Sequence, residues 1–244
     1  MRKRKNKMTD TYIALDLETT GLNPSTDRIL EIGAVKVICG KQAETYETLV
    51  NPGRKIERRI EELTGITDEM AAGGMDTRAA VTGLVEFCGD LPLLGHNIIF
   101  DYSFVKQNAV NLNLPFEKQG IDTLKIARAL FPEMESRSLQ ALCAYYEIRP
   151  KMAHRAAFDA LASMELYRRM REQFPESPEE LFAPRPLNYK AKKQGPITPA
   201  QKGYLNDLLK YHKITLELSV DSLTKNEASR IIDGIISEHG RIQR

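Results

Sequence analysis

Cysteine is scarce in this sequence of 244 residues. Cys39, Cys88 and Cys143 are odd in number, widely spaced and form no CxxC pair. That argues against a disulfide framework and against a zinc site, and fits a reducing compartment. Long apolar runs are missing too, and none approaches the roughly 20 residues needed to span a membrane. The basic N-terminus does not open a signal peptide, because the segment after it, TYIALDLETT, places Asp16 and Glu18 where an apolar stretch belongs. A general basic excess is also lacking. Residues 1–7 (MRKRKNK) hold five of the 35 Lys and Arg, and the other 30 face 33 Asp and Glu, so the body is slightly acidic. A basic footprint for nucleic acid is therefore local. Internal repeats and low-complexity tracts are absent. These features point to a cytoplasmic globular protein, with Met8 as a candidate second start just before the first expected strand.

What is present is a run of strands followed by strand–helix alternation. Residues 12–17 (YIALDL), 28–38 and 44–50 read as three strands in meander order, with the turn-rich GLNPSTD between the first two. Helical periodicity follows over 56–63 and 78–88. Leu91 to Leu94 reads as a short buried strand, and helical patterns resume at about 98–110, 123–130, 138–146 and 156–173. This order predicts an α/β fold, a mixed sheet flanked by helices, over residues 10–174. Residues 1–9 form the basic tail. Residues 175–197 hold five prolines, and Leu181 to Asn206 contains no acid but Arg185, Lys190, Lys192, Lys193 and Lys202, which predicts a basic, semi-extended linker. Residues 198–244 read as a helical hairpin. Thr198-Pro199-Ala200-Gln201 and Thr224-Lys225-Asn226-Glu227 are capping boxes, and each is followed by an apolar stripe.

Three places carry candidate chemistry. Asp16 and Glu18 share one face of the first strand, with Ile13, Leu15 and Leu17 on the other. Two adjacent carboxylates repel each other, and a divalent cation resolves the repulsion by binding both. Taken alone, such a pair is more commonly the solvated acidic face of an edge strand. Asp101 falls early in a helix beside a core stripe of Phe104 and Val105, with Asn97 as the expected N-cap. A dipole-favoured acid in the first turn is the alternative there. Asp159 falls in the first turn of the helix after 155, and His154 in the loop before it. A loop histidine near a helix-borne acid can serve as a general base, or both can be surface residues.

Taken together, DLETTG at 16–21, GHNIIFD at 95–101 and HRAAFD at 154–159 resemble the motifs of the DEDDh exonuclease family. That group includes the proofreading epsilon-type subunits of bacterial DNA polymerase III and ribonuclease T. LTGITDEM at 63–70 and DTLKIARALFP at 122–132 extend the resemblance, which covers roughly residues 10–174. It implies a ribonuclease H-like fold and a 3′→5′ exonuclease that releases nucleoside 5′-monophosphates. Asp16, Glu18, Asp101 and Asp159 would hold two Mg²⁺ or Mn²⁺ ions about 3.5–4 Å apart, and His154 would take the proton from the attacking water. Thr19, Thr20, His96 and Asn97 would contact the terminal nucleotide, with local turn and cap bonding as the alternative. Leu63 and Ile66 would offer an apolar surface to its base, or would simply pack in the core.

The implied partner is nucleic acid with a free 3′ end, DNA ahead of RNA, with a DNA polymerase or repair protein as a further expectation and no membrane. Two other readings remain open from sequence: a catalytically weak adaptor on the same fold, and a phosphodiesterase of small nucleotides. The hairpin resembles small two-helix modules at the C-termini of other bacterial and phage proteins. Its acids, Asp207, Glu217, Asp221, Glu227 and Asp233, look scattered.

Overall fold

The computed structural model describes residues 10–148, 155–216 and 219–242. The basic tail and His154 lie outside the described residues. Alternation of apolar residues makes the first strand, β1 (Tyr12–Thr19), which pairs antiparallel with β2 (Ile29–Ile38). That strand pairs antiparallel with β3 (Lys41–Asn51). The expected meander is thus present, with β3 starting three residues earlier than its apolar pattern suggested. Short helices α1 (Arg58–Thr64) and α2 (Asp68–Ala72) follow, then β4 (Met75–Asp76) and α3 (Thr77–Cys88). Strand β5 (Leu93–Gly95) runs parallel to β1. After α4 (Ile99–Leu112), β6 (Gln119–Asp122) runs parallel to β5. Helices α5 (Thr123–Leu130), α6 (Leu139–Tyr145) and α7 (Ala156–Gln173) complete the second layer.

Strands β1 and β2 are buried on both faces, whereas most of β3 is exposed. Ile13, Leu15, Leu17, Ile32 and Ala34 pack under α3 and α4. Tyr12, Ala14, Val35 and Val37 pack under α5 and α7. Positions 16 and 18 belong to this second face, so any charge there sits directly under α7. Burying both faces explains why β2 reads as a nearly continuous apolar run.

The stretch from 175 to 197, expected as a linker, is laid along the fold instead. It carries α8 (Glu179–Phe182) and β7 (Arg185–Pro186), and β7 pairs antiparallel with β6 at the edge of the seven-stranded sheet. Phe182 is buried and its carbonyl accepts from the Tyr167 hydroxyl at 3.0 Å. Pro186 sits where an edge strand tolerates proline. The two capping boxes form as expected at the starts of α9 (Pro199–His212) and α10 (Lys225–His239). These helices share a core of Leu205, Leu208, Leu223, Ala228, Ile232 and Ile235. No described helix is long and apolar enough to cross a membrane.

Among the described glycines, the closest approach of another element is that of α7 to Gly33 in β2. A Cβ placed on Gly33 would lie 2.1 Å from the Ala157 nitrogen and 2.2 Å from the Ala156 carbonyl carbon. Backbone cannot yield at that spacing as a flexible side chain could. Gly33→Ala should therefore cost at least about 3 kcal/mol, the upper end of overpacking penalties. Chemical denaturation followed by far-UV circular dichroism checks this, and a variant as stable as wild type would mean that α7 is free to shift.

Candidate active site

The register of β1 against β2 sets Asp16 opposite Gly33 and Glu18 opposite Glu31. Because residue 33 has no side chain, the first turn of α7 can lie on the sheet beside Asp16. Helix α7 has no capping side chain of its own at Arg155. The cap comes from across the fold. Glu31 is wholly buried, its Oε2 accepts from the Ala156 amide at 2.9 Å, and the Arg155 guanidinium grips its Oε1 through Nε at 2.8 Å and NH2 at 2.5 Å. An anion at a helix N-terminus satisfies an otherwise unpaired N–H and complements the dipole. Arg155 offsets its charge. With α7 fixed in place and rotation, Asp159 in its first turn meets Asp16 and Glu18. Carboxylate oxygens of all three, each half-buried, lie within 4.8 Å of one another.

Asp101 stands just behind this trio. It lies in the first turn of α4, 3% exposed, and its Oδ1 accepts from the Leu17 amide at 3.0 Å. That bond ties α4 to the same stretch of β1 that carries Asp16 and Glu18. The four acids thus come from three elements, and the register of one strand organises them all.

Their electrostatics are those of a site short of positive charge. Burial raises the Asp16 carboxyl well above its usual range, and the charges of Asp101, Asp159, Glu18 and Glu31 raise it further. Burial likewise raises Asp101, against the pull of backbone N–H bonds. Glu18 is pushed up from 4.5 to about 7, by burial first and then by Asp159 and Glu31, with Arg155 opposing. The strongest charges acting on Asp16 are all carboxylates, an arrangement that favours a divalent cation. The donor set is oxygen only, which suits Mg²⁺ or Mn²⁺.

The other candidate residues divide by what already holds them. Thr19 Oγ1 donates to the Gly21 carbonyl at 2.7 Å, and Thr20 Oγ1 accepts from the Arg28 amide at 2.9 Å, so both hydroxyls close the loop after β1. The His96 ring is held at both nitrogens, by Thr123 Oγ1 and the Arg137 carbonyl, each at 2.9 Å. Burial lowers its pKa, against the Arg137 carbonyl and Asp122, which raise it. Asn97 is exposed with a left-handed φ of 67°, and its amide donates to Asp122 Oδ1 at 3.1 Å. It does not cap α4 as expected: the N-cap is Ile98, without a side-chain bond. The positive φ turns Asn97 out of the cap position. His96 and Asn97 line a cleft of about 490 Å³ with Leu124, Arg128 and Arg137. Ile66 is wholly buried with Leu30, Ile56 and Ala71, whereas Leu63 is 54% exposed and Leu22, in the loop after Thr20, is 83% exposed.

Sequence reasoning missed Glu31, Gly33 and Arg155. Two signals were available: one acid and one glycine inside the otherwise apolar strand ILEIGAVKVI.

A family model described as exonuclease, for the ribonuclease T group, matches residues 13–167. DNA polymerase III PolC-type from Bacillus subtilis (strain 168) is 38% identical over 164 residues, covering 66% of this chain and 11% of that protein. Its counterpart from Caldanaerobacter subterraneus subsp. tengcongensis is 36% identical over 165 residues, covering 68% of this chain and 12% of that protein. The chain spans only about a tenth of the length of these relatives. Among solved structures, exonuclease X in complex with 5′-overhanging duplex DNA aligns with a TM-score of 0.55 and 25% identity, over 71% of this chain and 99% of that one. E. coli exonuclease I in complex with a dA16 oligonucleotide aligns with a TM-score of 0.62 at 20% identity, over 71% of this chain and 42% of that one. The sheet and its flanking helices are thus a ribonuclease H-like fold.

The raised Glu18 pKa has a measurable consequence. Between pH 4.5 and about 7 the folded chain keeps a proton that the unfolded chain has released, so this group makes stability fall as pH rises through that window. Glu18→Gln carries no such proton. In chelator-treated protein, the stability gain of Glu18→Gln over wild type should grow from pH 4.5 to about 7 and level off above. Thermal melts across that range test this, and a difference independent of pH would contradict it.

Proposed function

The chain belongs to the ribonuclease T-type exonuclease family, of the DEDD kind, and on that footing we propose that it is a metal-dependent 3′→5′ exonuclease. It would hydrolyse the terminal phosphodiester at the 3′ end of a strand, DNA ahead of RNA, and release nucleoside 5′-monophosphates. The convergence of Asp16, Glu18 and Asp159 within 4.8 Å, with Asp101 buried behind them, carries this reading.

Asp16, Glu18, Asp101 and Asp159 are the residues assigned to hold Mg²⁺ or Mn²⁺, two ions in this reading. Bound there, the ions supply Lewis-acid polarisation of the phosphate and water and neutralise the carboxylates. The protein's own part is to orient and to move a proton. Asp101 and Glu31 fix the strand and helix that carry the other acids. His154, next in sequence to the Arg155 held by Glu31, is assigned to accept a proton from the attacking water on a ring nitrogen. The 3′-terminal nucleotide would lie against the loop of Thr19, Thr20 and Leu22, with the exposed Leu63 offering apolar surface to a base. The cleft at His96 and Asn97 lies within the usual size range for small-ligand sites, and Arg128 and Arg137 suit it to a phosphate-bearing strand. Ile66, closed in the core, has no part in this reading.

A catalytically weak adaptor would gain nothing from keeping repelling acids together under a helix, which favours the enzyme. The PolC-type relatives make a DNA polymerase or repair complex the natural setting to search for a partner. In the same reading, residues 10–174 make up the exonuclease domain and 198–244 an added module.

Asp16→Asn should abolish cleavage of end-labelled oligonucleotides in Mg²⁺ or Mn²⁺ while leaving the protein folded. Cutting at the wild-type rate would remove the proposed site. His154→Ala should slow turnover by about 10²–10⁴ without loss of metal affinity. Calorimetric loss of metal in that variant would make His154 a ligand rather than a base. A terminal 3′ phosphorothioate should block digestion and a 5′ modification should not. Protection by the 5′ modification alone would reverse the polarity.

A further inference from the structure

We propose that the C-terminal helix pair clamps the loop of residues 20–28, and that Glu227 is the positioning residue through which it fixes the strand-binding edge of the active site. This rests on the reading that the 3′ end lies against that loop.

Glu227 does two jobs. It closes the capping box of α10, with Oε2 accepting from the Thr224 amide and hydroxyl, each at 2.9 Å. The same carboxylate reaches across the fold to two arginines. Arg28 NH2 lies 2.7 Å from Oε2 and 2.9 Å from Oε1, and Arg54 NH2 lies 2.7 Å from Oε1. The Glu227 side chain is 9% exposed, so these contacts are shielded from water and salt. Burial opposes its charge, but Arg28 and the Thr224 bonds outweigh it and hold its carboxyl below the usual glutamate value. An exposed ion pair would contribute little. A shielded carboxylate shared between two guanidiniums has a defined geometry.

Both arginines lead into the loop. Arg28 is its last residue, and its backbone closes the base of the loop: its amide donates to Thr20 Oγ1 and its carbonyl accepts from the Thr20 amide at 2.8 Å. Arg54 NH1 donates to the Thr26 carbonyl at 3.1 Å. A third tie comes from the segment leading into α9, where Gln194 Nε2 donates to the Ser25 carbonyl at 3.0 Å. Ser25 and Arg28 are therefore held directly from the C-terminal side, and Thr26 through Arg54, which Glu227 grips in turn. Thr20 and the exposed Leu22 stand at the other end of the same loop, which leaves β1 at Thr19, next to Glu18. Within the loop, Asp27 is packed against Gly21, where a Cβ would fall 2.5 Å from Asp27 Oδ2, and it accepts from the Asn23 amide at 2.8 Å. A pull at 25–28 is thus transmitted to 20–23 through contacts that leave little slack. Glu227 and Gln194 lie outside the matched exonuclease segment, whereas Arg28 and Arg54 lie within it.

The test uses the full-length chain and a single-stranded oligonucleotide labelled at its 5′ end, in Mg²⁺. Glu227→Gln keeps the shape of the side chain and removes its charge. It should raise KM about five- to tenfold, within the range of couplings between contacting residues, and leave kcat within twofold. Amide exchange should quicken at residues 20–28 and stay unchanged in β1 and β2. Arg28→Ala and Glu227→Ala should raise KM by amounts that do not multiply in the double variant, because both break the same link. Unchanged KM, a fall in kcat with KM constant, unaltered exchange over 20–28, or multiplicative single effects would each overturn the clamp. An active Asp16→Asn variant would instead remove the catalytic reading and leave the exchange result standing by itself.

Discussion

Helix α7 reaches the sheet over the bare backbone of Gly33, and the geometry of the acidic site depends on that contact. A side chain at position 33 would meet the Ala156–Ala157 backbone at little more than 2 Å. The helix would have to move outward, taking Asp159 away from Asp16, the residue paired with Gly33 in the ladder. Close approach alone leaves a helix free to slide or roll. Glu31 removes that freedom by binding the Ala156 amide and the Arg155 guanidinium from beneath. A missing side chain sets the distance, and a buried carboxylate sets the rotation.

The site so built is costly for the protein by itself. Carboxylates that stay charged in a partly dehydrated setting repel one another, and the raised Asp16, Asp101 and Glu18 pKa values express that cost. The surrounding structure bears it through central strands β1 and β2, packed on both faces, and through Asp101, whose bond to the Leu17 amide turns one of the acids into a structural tie. A neutral substitution in such a place relieves repulsion, the mark of a site whose local chemistry is set against stability.

The C-terminal helices follow a related logic. Their own core is small, built on six buried residues among those described, and α10 begins at a capping box whose glutamate also serves the exonuclease fold. One carboxylate therefore links the folding of a helix end to the placement of a loop. Arg28 and Arg54 would otherwise be two nearby cations without that neutralising partner.

The sequence alone determined the elements whose pattern is long enough to repeat. β1, β2, α3, α5 and α7 were legible from period, both C-terminal helices from their capping boxes, and the four acids from motifs that stand close to them. It did not reveal β4, β6, β7 or α2, which at two to five residues complete too few periods to be seen. Nor did it separate His96, whose two ring nitrogens are both engaged in the fold, from a residue free to meet substrate. Ile66 and Leu63 read alike until burial divided them. Glu227 looked like one scattered acid among several because its partner Arg28 lies 199 residues away, and Glu31 looked like an interruption of a strand because the amide it caps lies 125 residues away. Local propensity depends on neighbours in the chain, so it can be read there. Which buried charge meets which backbone amide depends on how separate elements pack, and only the tertiary structure decided it.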